Sequence, residues 1–340
     1  MARKIIPSIA VIASVSIVLV IFLFSRPQQT SMTTEKITLA LGHESLSSLV
    51  IIADNKNYFH EQGVDVTIKT FKGGKQALIK GLLSGDADLA TSADVPIVFN
   101  SFNRNDFKII STIGSSDNEP RIIARKDKLI KTPGDLTGKK IVTKKGSAVH
   151  FFLNTFLAFS GITNDDIELS FTKDGHEMVD LLASGKVDAM SHREPFISEA
   201  KNRLGDNAVV FEKPGAYTKT FNLIATDVAI KNKDEAIKRV LKALLMAEEF
   251  SRKHPADTIK IIANSLGITE ESLITVWNSI DLSLALDQTL ITTLEAQSRW
   301  ASSNLLVDFT NGVNYLEHID ASLLQLVKPD AVNISQPAIQ

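Results

Sequence analysis

Two stretches of this chain are nearly the same: LLSGDADLA at residues 82–90 and LLASGKVDAM at residues 181–190. Ser84, Gly85 and Asp88 are matched by Ser184, Gly185 and Asp188. In each copy the leucines suit the buried stripe of a helix, and the glycine offers the left-handed conformation that ends it. The aspartate then opens a turn into a short apolar run of the kind a buried parallel strand needs. A single copy is the ordinary grammar of a helix-to-strand turn. Two copies, each set in the same series of elements, predict two similarly built α/β domains.

The series can be read outward from the first copy. KITLAL (36–41) is a short apolar strand, a helical stretch runs to about Phe59, VDVTIKTF (64–71) alternates as a strand, GGKQALIKGLLSG (73–85) is a helix, and ADLAT (87–91) is a strand. Beyond residue 120 the order returns. RIIARK and KKIVTK are strands, GSAVHFFLNTFLAFSG (146–161) is a helix and IELSFT is a strand. A helix from about His176 to Ser184, the strand VDAMS and a helix from Pro195 follow. Strands separated by helices imply parallel pairing with right-handed crossovers. From Asp234 to Asn304 the aliphatic positions recur at three and four residues and read as amphipathic helices, with Trp277 and Trp300 as packing residues.

A length of 340 residues suits two domains. With 37 basic against 39 acidic residues and no block of like charge, nothing points to a nucleic-acid partner. The absence of cysteine excludes disulfides, thiolate metal sites and a cysteine nucleophile. Ile5–Phe24 is an uncharged apolar run preceded by Arg3 and Lys4, long enough to span a bilayer, and no small-residue cleavage pattern follows it. It reads as an N-terminal membrane anchor or signal segment, with residues 25–35 as a polar linker and the remainder exported.

In open α/β sheets ligands bind beyond the carboxyl ends of the strands. After ADLAT the chain reads Ser92-Ala93-Asp94-Val95-Pro96, and after VDAM it reads Ser191-His192-Arg193-Glu194-Pro195. Both loops end in proline at a helix start, where the missing N–H costs nothing. If the two domains face each other, these polar tips line one cleft, the usual place for a small-molecule pocket.

Over residues 36–330 the chain resembles the solute-binding proteins of ABC importers, of the nitrate/sulfonate/taurine type that includes thiamine-precursor binders. The resemblance rests on ADNKNYFHEQGVDV (53–66), GGKQALIKGLLSGDADLA (73–90), PGDLTGKKIVTKKGSAVHFFL (133–153) and LLASGKVDAMSHREPF (181–196). It implies a type II periplasmic-binding-protein-like fold: lobe 1 from residues 36–118 plus 220–335, lobe 2 from 119–219, and a ligand cleft between them. The crossings would fall near Asn118–Arg121 and Thr218–Asn222. It implies a permease with its ATPase as partners, a monomeric binding protein on the outer side of the cytoplasmic membrane, no cofactor and no catalysis. The segment VDFTNGVNYLEHIDASLLQLVKP resembles the family's C-terminal docking segment. Departures from the family pattern are Asn57 for glycine, Ala148 for threonine and Arg193 for tryptophan; the last two lie where the ligand would sit.

Arg193 is the leading ligand contact, because guanidinium is a planar fork of donors matched to sulfonate, carboxylate or nitrate; a salt bridge to Glu194 or another acid is the alternative. Gly74, at a helix opening, offers backbone N–H groups to an anion, and Lys75 adds charge or is solvated. Ser147 offers a hydroxyl at another helix start or caps it, and His150 faces the cleft or packs. Asp94 receives an ammonium group or caps its helix. Glu44, Ser45 and Ser47 in the first loop, Ser92 after the third strand, and Asn222 at the second crossing complete the set. A sulfonate-, taurine- or nitrate-like solute is the expected cargo. A membrane-anchored sensor domain, or a thiamine-pyrimidine-related protein, is the other reading.

Overall fold

The repeated aspartates have a shared job. In the computed structural model, which describes residues 35–307 and 312–334, Asp88 Oδ2 accepts the Thr38 N–H at 2.8 Å while the Asp88 N–H donates to Thr38 O at 2.8 Å. Asp188 treats Lys140 the same way, at 2.9 Å through Oδ2 and 2.8 Å through its N–H. Each aspartate therefore closes a ring onto the strand beside it and fixes the register of a parallel pair. The preceding turns use glycine as expected, with φ of +85° at Gly85 and +75° at Gly185. An arginine then takes up carbonyls at each helix end. Arg104 Nη1 donates to Leu83 O at 2.9 Å, and Arg125 Nη1 donates to Leu182 O at 2.8 Å and Ala183 O at 2.9 Å.

The strands of the two larger sheets, in chain order, are β1 (Glu35–Gly42), β2 (Val64–Phe71), β3 (Leu89–Ala93), β4 (Phe107–Ser116), β5 (Arg121–Arg125), β6 (Lys140–Thr143), β7 (Glu168–Phe171), β8 (Ala189–His192), β9 (Ala208–Phe211), β10 (Lys219–Thr226) and β11 (Ile280–Asp281). They form a six-stranded sheet in the order β11-β4-β10-β3-β1-β2 and a five-stranded sheet in the order β7-β6-β8-β5-β9. The chain leaves the first sheet after β4 through residues 117–120 and returns after β9 through residues 212–218.

Both sheets are mixed, which corrects the all-parallel expectation. β1 pairs parallel with β2 and β3, and β6 with β7 and β8, but β10 runs antiparallel to β3 and β4, and β5 antiparallel to β8 and β9. The cause is topological. A strand that leaves a sheet and the strand that returns to it beside it point in opposite directions, so no helical crossover is needed between them.

The expected helix over 73–85 is one α turn, Gly74–Gln76, followed by a π-helical turn, Ala77–Leu82. This wide turn carries Gly81 hard against β1, where a Cβ would lie 2.3 Å from Ala40 Cβ. Asn57 takes the left-handed conformation with φ of +61° that a glycine would otherwise supply.

The pleat of the five-stranded sheet separates two cores. Ile122, Ala124, Ile141 and Ala189 face a large apolar cluster that continues through the first sheet, while Ile123, Val142 and Met190 face a smaller one under helices Gly175–Ala183 and Phe196–Leu204. Helices Asp234–Lys253 and Pro255–Leu266 pack on helix Ser48–Asn55. Among the described residues no helix is long and apolar enough to cross a membrane. The Ile5–Phe24 segment, the linker up to Thr34 and residues 308–311 of the C-terminal segment lie outside the described residues.

Candidate functional site

At the end of β1 the chain is locked by backbone contact. A Cβ on Gly42 would fall 2.5 Å from Gly74 Cα, and one on Gly74 would fall 2.7 Å from Ser92 Cα, so the ends of β1 and β3 and the helix opening at Gly74 meet backbone to backbone. Ser47 Oγ, fully buried, donates to Gly42 O at 2.8 Å and lies 2.7 Å from Glu44 O. This turn aims the Glu44 side chain toward the second sheet.

There Glu44 enters a quartet of alternating charge. Glu44 Oε2 lies 2.7 Å from Arg193 Nη1 and 3.1 Å from Lys219 Nζ, and Glu44 Oε1 accepts the Gly74 N–H at 3.3 Å. Glu119 completes the ring, with Oε1 at 3.4 Å from Arg193 Nη1 and Oε2 at 2.8 Å from Lys219 Nζ. The four side chains come from the loop after β1, the first crossing, the loop after β8 and the first residue of β10. The Lys219 side chain is 3% exposed and that of Arg193 33%. Burial alone would raise the Glu44 pKa, but the Arg193 and Lys219 charges and their hydrogen bonds outweigh it and hold the carboxyl well below the usual range. The Glu44 charge in turn raises the Arg193 pKa against the opposing effect of burial.

A cavity of about 450 Å³ opens beside the quartet. His43, Glu44, Ser45, Glu119 and Arg193 supply its polar side, and Leu46, Leu266, Leu273, Val276 and Ile280 supply an apolar wall. Glu194 and Pro195, joined by a cis peptide, and the exposed Glu271 stand at its edge. Glu194 pairs with Arg121 at 3.6 Å. The Lys144 pKa is lowered, first by partial burial and then by the Arg193 and Lys75 charges.

Of the residues that the sequence singles out, Glu44, Ser45 and Arg193 line the cavity, and the Gly74 N–H donates to the Glu44 carboxylate. Arg193 pairs with Glu44 and Glu119, not with its neighbour Glu194. Lys75 is exposed. Six others are engaged elsewhere. Asp94 is fully buried, its Oδ1 accepting from Tyr217 Oη at 2.7 Å and its Oδ2 from Thr220 N–H at 3.1 Å, so this carboxylate holds β10 in place and is not free for an ammonium group. Burial raises the Asp94 pKa against the effect of those hydrogen bonds. Asn222 is fully buried between Thr112 Oγ1, which donates to its Oδ1 at 2.9 Å, and Thr220 Oγ1, which accepts from its Nδ2 at 3.0 Å. Ser92 is fully buried, with Oγ 3.3 Å from Ala93 O, and Ser47 is the turn lock already described. Ser147 Oγ donates to Lys144 O at 2.6 Å and does not cap its helix.

His150 packs. It is 2% exposed, its Nδ1 accepts the Gly146 N–H at 3.3 Å, and its ring stands edge-on to Phe171 and Trp300 at 5.0 and 5.1 Å. Burial, with the Lys145 charge, lowers its pKa to about 4. Trp300 also meets Phe151 at 5.3 Å and donates from Nε1 to Asn154 Oδ1 at 2.7 Å, joining helix Gln288–Ser303 to helix Ala148–Phe159.

Sequence reasoning alone misses Glu119, Lys219 and the apolar wall at 266–280. One signal is present: Glu119-Pro120 repeats the Glu194-Pro195 dipeptide of the loop after β8. Lys219 is also marked, as a lone charge at the head of the apolar strand TFNLIAT.

The family model described as NMT1/THI5 like matches residues 47–258. A chain of Brucella abortus (strain 2308) named as a binding protein is 25% identical over 230 residues, which is 67% of this chain and 70% of that one. An aliphatic sulfonates-binding protein of Escherichia coli (strain K12) is 24% identical over 232 residues, 68% of this chain and 72% of that one. Among solved structures, the periplasmic aliphatic sulphonate binding protein SsuA from Escherichia coli superposes with a TM-score of 0.73 at 17% identity, covering 91% of this chain and 96% of that one. The desulfurization enzyme DSZB superposes with a TM-score of 0.62 at 15% identity, covering 87% and 99%. These likenesses establish the periplasmic-binding-protein fold.

Proposed function

Because the chain belongs to the NMT1/THI5-like family, we propose that it is the extracytoplasmic solute-binding component of an ABC importer, a binding protein and not a catalyst. It captures a small anionic or zwitterionic organic solute between two lobes, residues 36–118 plus 220–335 and residues 119–219. A membrane permease with its ATPase receives the solute, and residues 1–24 export or anchor the binding protein, which acts as a monomer on the outer face of the cytoplasmic membrane.

The observation that carries the solute class is the way the chain already holds an oxyanion. Gly74 N–H, Arg193 and Lys219, drawn from both sheets, converge on one carboxylate. Charge-assisted donors of this kind suit a sulfonate or carboxylate head. The apolar wall beside them suits an organic body. A zwitterion would also meet Glu119 with its cationic end and leave the neutral quartet neutral. Solute that contacts both lobes favours the closed arrangement, which a permease then recognises.

Titration calorimetry of the full chain against taurine, short alkanesulfonates, nitrate and a thiamine pyrimidine tests this reading. Saturable binding of an anion or zwitterion is expected, weakened by about 1.5–3 kcal/mol in Arg193→Ala. Silence across the panel from folded protein would refute the solute class and favour a sensory role with a different ligand.

A further inference from the structure

We infer that Glu44 is a resident occupant of the oxyanion cradle, so that solute binds by exchange with it and small oxyanions without an apolar body are rejected. The inference rests on the solute-binding reading and adds the residue that sets the threshold for binding.

Three observations carry it. The Glu44 carboxylate takes one donor from each of three segments, Gly74 N–H at 3.3 Å, Arg193 Nη1 at 2.7 Å and Lys219 Nζ at 3.1 Å, which is the donor set an incoming oxyanion requires. The backbone is bare where the carboxylate lies: Gly73 has φ of +85°, and a Cβ there would stand 2.9 Å from Glu44 Oε1. The Glu44 backbone, in contrast, is held independently of these ion pairs, by a turn in which Ser47 Oγ donates to Gly42 O and lies near Glu44 O. Rotation about the side-chain bonds of Glu44 therefore vacates the cradle without moving the sheet, and the cavity of about 450 Å³ lies directly beside it.

Exchange has a consequence for selectivity. A tethered carboxylate competes at an effective concentration on the order of millimolar or above. Acetate, sulfate or nitrate offers the cradle nothing that Glu44 does not already give, so each loses this competition. A solute whose oxyanion carries an apolar body gains the wall of Leu46, Leu273, Val276 and Ile280 as well, and that contact tips the exchange.

The test removes the occupant. Wild-type chain, Glu44→Ala and Glu44→Gln are titrated calorimetrically with acetate, methanesulfonate and a longer alkanesulfonate, after a melting curve establishes that each is folded. Glu44→Ala should bind acetate and methanesulfonate where the wild type gives no heat, and should bind the longer sulfonate at least about tenfold more tightly than the wild type. Glu44→Gln, a neutral and weaker competitor, should shift in the same direction by less, and decides the matter if the alanine variant does not fold. Folded variants that stay silent to both small anions, or a wild type that binds acetate as tightly as the variants do, would overturn the exchange. If no form binds the organic solutes while Glu44→Ala still binds acetate, the importer reading falls and the occupied cradle stands.

Discussion

At the scale of single residues, two polar groups that resemble site residues in the sequence are structural. Asp94 Oδ1 and Oδ2 receive the Tyr217 hydroxyl and the Thr220 N–H inside a fully buried pocket. Asp94→Ala removes the acceptor of these two donors and of the Val95 N–H, which donates to Oδ1 at 2.7 Å, and a donor buried without a partner costs about 1–3 kcal/mol. Urea unfolding at neutral pH should therefore show a loss of about 3 kcal/mol or more, with no requirement that affinity change by a like amount. His150 and His192 are buried neutral, with pKa lowered from 6.5 to about 4 by burial and then by the charges of Lys145 and Arg193 respectively. A base whose folded pKa is depressed binds fewer protons in the folded than in the unfolded state, so the stability it contributes is complete above about pH 6.5 and is lost as pH falls toward about 4. The double variant His150→Gln, His192→Gln should lose less stability than the parent across that window, read from urea midpoints at its two ends. An equal loss in both proteins would assign the acid sensitivity to other groups.

At the scale of elements, the most demanding contact is the seat of the π-helical turn Ala77–Leu82 on β1. A Cβ at Gly81 would lie 2.3 Å from Ala40 Cβ, and Ala40, fully buried on β1, has no room to retreat in a packed sheet. Gly81→Ala should cost about 1–3 kcal/mol, seen as a lowered melting temperature. A melting temperature equal to that of the parent would mean the turn can slide outward. Most such elements are legible in the sequence because apolar runs of four to eight residues between Gly, Asp and Pro leave little choice of period. Val64–Phe71 and helix Ala148–Phe159 fall where the pattern puts them. Strands β4, β9 and β10 escape it, because nothing local in FKIISTIGSS or TFNLIAT says that one strand leaves the sheet and the other returns. The same blindness hides half of the charge quartet. Glu44 and Arg193 sit in loops after strands, where ligands are sought, whereas Glu119 lies in the first crossing and Lys219 opens the returning strand, and they become neighbours only once the two sheets are placed. Asp94 and Asn222 show the opposite failure, since a polar residue near a strand end looks alike in sequence whether its partner is a solute or Tyr217 and Thr112.

At the scale of the whole molecule, one apolar cluster runs through both sheets, from Leu39 and Ile109 in the first to Ile122 and Ile141 in the second, with Phe151, Phe156 and Trp300 between. Folding of one half is therefore coupled to folding of the other. Scanning calorimetry should record a single transition with equal calorimetric and van't Hoff enthalpies. Phe151→Ala, which opens a hole among Tyr217, Trp300 and the helix that bears it, should lower that one transition by about 3–5 kcal/mol. Two resolved transitions, with only one of them moved, would show that the halves unfold independently.

Trp300 gives this junction a further property. The chain has two tryptophans, and Trp300 is ringed by His150, Phe151 and Phe99 and bonded to Asn154 across the seam between helices Gln288–Ser303 and Ala148–Phe159. Any motion that parts the seam hands the indole from aromatic edges to water, which moves its emission toward the red. The molecule thus carries an optical gauge of its own opening, readable in ultraviolet light with no dye attached.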